Sequence, residues 1–179
     1  AIEEQYYLIF PIFLIVLWRF GKNPILYSIV FISVLSLLLS EWASRGHVFA
    51  NFYLPPTRVW ELFSGSICAL LIYNKRPIKS EFLSIIGIVL IAFSIFYYDE
   101  NTPFPSFYTL VPVIGTVLII IFGTNGTRVS QLLSTRAFVS IGLISYSAYL
   151  WHQPLFAFAR ILNQGEPAEA LTLALAATS

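Results

Sequence analysis

Charge is scarce in this chain: 11% of its 179 residues are Asp, Glu, Lys or Arg, against 58% hydrophobic. That ratio, with a mean hydropathy of +0.78, excludes an ordinary soluble globular domain and implies lipid around the chain. Cysteine is almost absent. Cys68 stands alone in an apolar run, so the segment can build neither an intrachain disulfide nor a thiolate zinc site, and the redox compartment stays open. Two histidines without a second cluster of ligands argue against a metal centre. There is no Gly-rich phosphate loop and no Gly-x-Ser-x-Gly elbow. A net charge of +1 gives no case for a nucleic-acid partner. Nothing at the start resembles a signal peptide, because Ala1 to Gln5 begins acidic and runs straight into apolar sequence. The chain reads as one integral membrane domain over residues 1–179, cut from something longer at both ends.

What it has instead is a series of apolar stretches, each near the ~20 residues that cross a hydrocarbon layer or slightly shorter. Six whole segments run from Glu4 to Phe20, Ile25 to Trp42, Val59 to Tyr73, Phe82 to Tyr98, Tyr108 to Phe122 and Phe138 to Ala159, and a seventh begins at Ala168 and stops at Ser179. Lipid offers the backbone no hydrogen bonds, so such segments are helices or strands of a closed barrel. The lack of period-two alternation excludes the barrel. The expected fold is an all-α, polytopic transmembrane helix bundle.

Basic residues orient it, since short cytoplasmic loops collect Lys and Arg. Arg19 and Lys22 follow the first segment, Lys75, Arg76 and Lys79 the third, and Arg128 and Arg136 the fifth. The alternate turns hold Glu41, Arg45, His47 and Arg58, then Asp99 and Glu100, then Arg160 and Glu166. This pattern puts residue 1 on the outer face. Asn101 to Ser106 reads as an ordinary Pro-containing outer loop, and His47 receives no role.

Polar side chains inside such helices are costly, and by default they face the bundle interior. Three clusters qualify. In Glu3-Glu4-Gln5-Tyr6-Tyr7-Leu8-Ile9-Phe10-Pro11, two carboxylates and an amide sit at the outer mouth of the first helix, and Pro11 leaves the Tyr7 carbonyl without its helical donor. An acidic first turn favoured by the helix dipole is the plainer reading. In Thr57 to Gly65, Arg58 and Glu61 are three apart and share a helix face. They can hold a polar substrate, or simply pair with each other beside Trp60 as an interfacial anchor. Ser64, Gly65, Ser66 and Ala69 make a small-residue surface that suits close helix packing. In Gly142 to Pro154, Ser145, Tyr149 and His152 fall within roughly a 60° arc. An imidazole there suits proton transfer near neutral pH, or a packing hydrogen bond to another helix. The topology sets all three clusters in the outer half of the membrane, where they can line one cavity.

Glu3-Glu4-Gln5-Tyr6-Tyr7-Leu8 with Pro11, Arg58-x-x-Glu61 with Gly65, and Ile144-Ser145-Tyr146-Ser147-x-Tyr149-Leu150-Trp151-His152-x-Pro154 resemble, in order and interval, successive motifs of the membrane acyltransferase type 3 family. The resemblance covers essentially the whole chain. It implies a bundle of about ten transmembrane helices in a bacterial inner (plasma) membrane. Such a bundle takes an acyl group from cytoplasmic acyl-CoA, usually acetyl-CoA, to a hydroxyl of an extracytoplasmic glycan such as O-antigen lipopolysaccharide, exopolysaccharide or peptidoglycan. Many bacterial members also carry a C-terminal SGNH-type domain.

By the same resemblance, Glu4, Gln5, Ser145, Tyr149 and Trp151 are expected to bind substrate. Arg58 and Glu61 position or polarise, and His152 hydrogen-bonds near the reacting oxygen. The family's main base, a histidine in its first transmembrane helix, is expected upstream of residue 1. No metal is expected. Two other classes keep intramembrane polar groups, a transporter or flippase of a glycan or lipid-linked substrate and a non-catalytic scaffold. Broken helices at mid-depth would favour the transporter, and the polar groups gather toward the outer side instead.

Overall fold

The structure, a computed structural model, describes residues 2–46, 48–73, 78–99 and 102–162, without the side chains of 48, 149, 152, 153 and 155–162. His47, Lys75, Arg76, Glu100, Glu166 and the seventh segment from Ala168 lie outside the described residues, as do the side chains of Tyr149, His152 and Arg160. The elements are α1 (Ile2–Trp18), α2 (Lys22–Ser44), α3 (Val48–Tyr53), α4 (Pro55–Ile72), α5 (Glu81–Tyr97), a 3-10 turn (Phe107–Thr109), α6 (Leu110–Phe122), α7 (Arg128–Leu133) and α8 (Arg136–Leu162). The fold is all-α, with no strand among the described residues.

All six whole segments are helices, and the differences lie at their ends. α4 starts at Pro55 rather than Val59 because Pro55 and Pro56 occupy its first turn, where a missing N–H costs nothing, while Leu54 before them is extended. Arg58 therefore lies inside the first turn of α4. Ser80 caps α5 by accepting from Leu83 N at 3.4 Å. Gly21, at φ 95°, makes the reversal between α1 and α2 that a side chain would resist. α3 and α7, each six residues long, fall below any hydropathy window.

By length and apolarity, Lys22–Ser44 is the one helix among the described residues that suffices to cross a membrane, while Glu81–Tyr97 and Phe107–Phe122 are apolar but shorter. The burial pattern is inverted relative to a soluble protein. Ser36, Ser40, Ser84 and Ser94 are buried, whereas Phe31, Leu35, Leu38, Ile95 and Phe96 face outward.

The chain divides into two compact units, residues 1–130 and 131–179. In the first, α1, α2 and α4 share a core of Ile25, Ile29 and Phe63, with Tyr6, Phe10, Phe13 and Leu14 against it. α5 packs on α6 through Gly87 and Gly115. A Cβ on Gly87 would stand 2.7 Å from the Gly115 carbonyl oxygen, and one on Gly115 would stand 2.8 Å from that of Gly87. The small-residue surface expected to pack on α4 behaves otherwise. Gly65 and Ala69 are exposed, and no described atom lies within 4 Å of a Cβ placed at Gly65; Ser64 bonds back to the Glu61 carbonyl of its own helix, and Ser66 bonds across to Tyr6 of α1. The close helix contact falls instead on glycines that no motif marked. In the second unit, α8 runs unbroken through Pro154 for 27 residues.

Replacing Gly87 by Val should separate α5 from α6 and destabilise the protein by about 1–3 kcal/mol. Gly65→Ala, whose added methyl meets no described atom, should instead stabilise it by about 0.5–1 kcal/mol. Unfolding in detergent or bicelles, followed by circular dichroism, measures both.

Candidate functional site

Arg58 and Glu61 form the ion pair that their spacing allows, with Arg58 Nη2 3.1 Å and Nε 3.4 Å from the same oxygen, Glu61 Oε2. Both side chains are largely withdrawn, at 23% and 18% exposure. The guanidinium also lies over two rings, 5.3 Å from the centroid of Phe52 on α3 and 5.8 Å from that of Phe104 in the loop after α5. Such contacts hold the cation flat and add to its binding as it is desolvated. Glu61 Oε1 is buried and has no hydrogen-bond partner among the described residues, so an acceptor remains beside the pair. A substrate hydroxyl can donate to it.

The loop that supplies Phe104 is far from the ordinary outer loop expected. Pro105 and Ser106 are fully buried. Asn51, on α3 and 1% exposed, donates from Nδ2 to the Pro105 carbonyl at 2.7 Å and to the Ser40 carbonyl at 3.1 Å. Phe107 N donates to Glu41 Oε2 at 3.2 Å. Thr57 Oγ1 donates to the Asn51 carbonyl at 2.6 Å, which ties α3 to the start of α4. Ser36 Oγ donates to the Pro56 carbonyl at 2.6 Å and accepts from Trp60 N at 3.3 Å. Trp60 is therefore no interfacial anchor: it is buried, with its backbone tied to α2.

The first cluster divides around α1. Glu3, half-buried, lies within electrostatic range of Glu61, whereas Glu4 is exposed. Gln5 lines a cavity of about 200 Å³ with Tyr6, Phe10, Phe13, Val59 and Phe63, and it is the amide among apolar walls. Tyr6 and Ser66 share a 2.5 Å hydrogen bond. Thus Glu3, Gln5, Arg58 and Glu61 belong to one region of the first unit.

Ser145 and Trp151 belong to the second unit, on α8. Ser145 Oγ donates to the Gly142 carbonyl at 2.8 Å, and both residues are exposed within that unit. The helix is continuous from 145 to 152, so Ser145, Tyr149 and His152 occupy one face of it.

Sequence reasoning missed Asn51, Phe52, Phe104 and Glu41. A lone Asn in an aromatic run between two apolar helices, Asn51-Phe52-Tyr53, was the available signal, because an amide at such a place demands partners.

The acyltransferase domain profile matches residues 1–178. The chain belongs to that acyltransferase family. Among curated proteins it is 33% identical to the peptidoglycan O-acetyltransferase OatA of Listeria monocytogenes, over 87% of this chain and 27% of that protein. It is 30% identical to a putative peptidoglycan O-acetyltransferase, YrhL, of Bacillus subtilis, again over 87% of this chain and 27% of the relative. A putative O-acetyltransferase of Staphylococcus aureus is 28% identical over 88% of this chain and 29% of its own length. The chain thus spans little more than a quarter of the curated relatives it matches. No solved structure matches it.

Asn51→Ala removes two buried hydrogen bonds and should cost about 2 kcal/mol. It should also release the Pro103–Phe107 segment from α3, seen as faster amide exchange there while α5 and α6 keep their protection.

Proposed function

We propose that the complete protein is a multi-pass O-acyltransferase of the bacterial plasma membrane. It moves an acyl group, acetyl foremost, from acyl-CoA to a hydroxyl of an extracytoplasmic glycan. The observation that carries this reading is the Arg58–Glu61 pair, with two aromatic rings against the guanidinium and one carboxylate oxygen unused, in a chain of the acyltransferase family. The names of the relatives favour peptidoglycan as the glycan. Outward-facing apolar side chains over buried serines support several helices in the bilayer. Residues 1–179 then form part of one membrane domain with residue 1 outside, and an SGNH-type domain is a candidate partner in the rest of the protein.

Attack of a sugar hydroxyl on the thioester carbonyl forms the ester C–O bond as the C–S bond to CoA breaks. It needs a base, which takes the hydroxyl proton and passes it to the departing thiolate, and stabilisation of the tetrahedral oxyanion. Arg58 offers the second: Glu61 occupies only Nε and one Nη2 direction, which leaves N–H groups of the fork for an oxyanion. Glu61 Oε1 accepts from the sugar hydroxyl and orients it. Gln5 and the apolar cavity beside it receive the acyl chain, whose donor is acyl-CoA. The motif resemblance supports His152 as a hydrogen-bonding group and Glu4, Ser145, Tyr149 and Trp151 as substrate-binding residues in the same reaction. No metal takes part.

In the complete protein, Arg58→Ala should lower glycan O-acetylation about 10²-fold. Arg58→Lys should recover little of it, because an ammonium lacks the planar fork and its stacking. His152→Ala should lower it as well, with membrane abundance unchanged in all three. Mass spectrometry of the released glycan reads the acetyl content, and wild-type levels in both alanine variants would remove the two residues from the mechanism.

A further inference from the structure

Beyond the end of α5 the chain folds into a second concave surface. Asp99 N donates to Thr102 Oγ1 at 3.2 Å, and Thr102 N donates to the Asp99 carbonyl at 2.9 Å. The Tyr98 hydroxyl donates to the Tyr108 carbonyl at 3.0 Å, and the two rings meet edge to face at 5.9 Å. These bonds frame an open cavity of about 660 Å³, walled by Tyr97, Tyr98, Tyr108, Asp99, Thr102 and Pro103. Tyr97 is 72% and Tyr108 53% exposed.

Tyrosines at the end of a membrane helix serve in general as interfacial anchors. Three features here go further. The rings line a hollow whose size suits an ordinary small-molecule site. A carboxylate, Asp99, stands among them, with no cation paired to it among the described residues. Thr102 and Pro103, which wall the hollow, lead directly to Phe104, whose ring lies against Arg58, and to Pro105, which is fastened to Asn51.

We propose that this cavity is a glycan subsite: it binds pyranose units of the acceptor chain and delivers the neighbouring unit toward Arg58 and Glu61. The C–H face of a pyranose ring is apolar and weakly positive, and it packs on the negative face of an aromatic ring. Hydroxyl or N-acetyl N–H groups at the sugar edge donate to the Asp99 carboxylate. This inference rests on the glycan-acceptor reading above and adds a place for the sugars that do not react.

The test uses the complete protein in nanodiscs, titrated with tetra-N-acetylchitotetraose by calorimetry, and in parallel the kinetics of glycan acylation. Tyr97→Ala and Asp99→Asn should each weaken tetrasaccharide binding about tenfold. Tyr97→Phe should bind as the wild type does. In acylation, the first two variants should raise KM for the glycan and leave kcat within about twofold, because they act away from the reacting bond. Tetrasaccharide binding that is undetectable, or equal in the wild type and in both variants, identifies an interfacial aromatic belt only and overturns the subsite. Acylation with unchanged KM in both variants does the same while the proposed activity stands. Binding that weakens as expected in a protein that acylates no glycan keeps the subsite and removes the proposed activity.

Discussion

Asn51 Nδ2 reaches two carbonyls on two different elements, Ser40 near the end of α2 and Pro105 before α6, and one end of the first unit is organised around it. The N–H groups of a primary amide in apolar surroundings cannot be left unpaired without a cost of a few kcal/mol, and at Asn51 it is these that are bonded, while Oδ1 accepts no hydrogen bond among the described residues. Its partners are therefore held as firmly as it is. Through them α2, α3 and the α5–α6 loop are fixed relative to each other, and the Thr57 hydroxyl brings in the start of α4. Phe52 follows Asn51 in sequence and Phe104 precedes Pro105. The two rings that flank Arg58 are thus neighbours of the two ends of one hydrogen bond.

That arrangement explains how a guanidinium and a carboxylate tolerate so little water. Neither charge is isolated, since each faces the other, and the aromatic faces replace part of the lost hydration of the cation. The carboxylate nevertheless uses only one of its two oxygens. That oxygen shares its unpaired state with Asn51 Oδ1 and Trp60 Nε1, and what sets it apart is the charge it carries.

The helices were legible in the sequence because lipid-compatible runs are long and the polar breaks between them short. Their ends were less so: hydropathy placed the start at Val59, whereas proline chemistry starts α4 at Pro55. The i,i+3 relation of Arg58 and Glu61 is local and could be read directly. Which carboxylate of Glu3 and Glu4 approaches Glu61 depends on the rotation of α1 about its axis, set by Tyr6, Phe10 and Phe13 packing on Phe63. The Asn51–Pro105 bond joins positions 54 apart and leaves no periodic trace. A loop with two prolines looks open in sequence for the same reason that it can be folded tightly here, since proline gives up a donor that would otherwise need a partner.

The contact between Gly87 and Gly115 has a mechanical corollary. Two helix backbones that touch with no side chain between them cannot slide or roll without collision or loss of contact, so α5 and α6 move together as one stiff lever. Phe104, in the loop that joins these two helices, is thus carried on a fixed base.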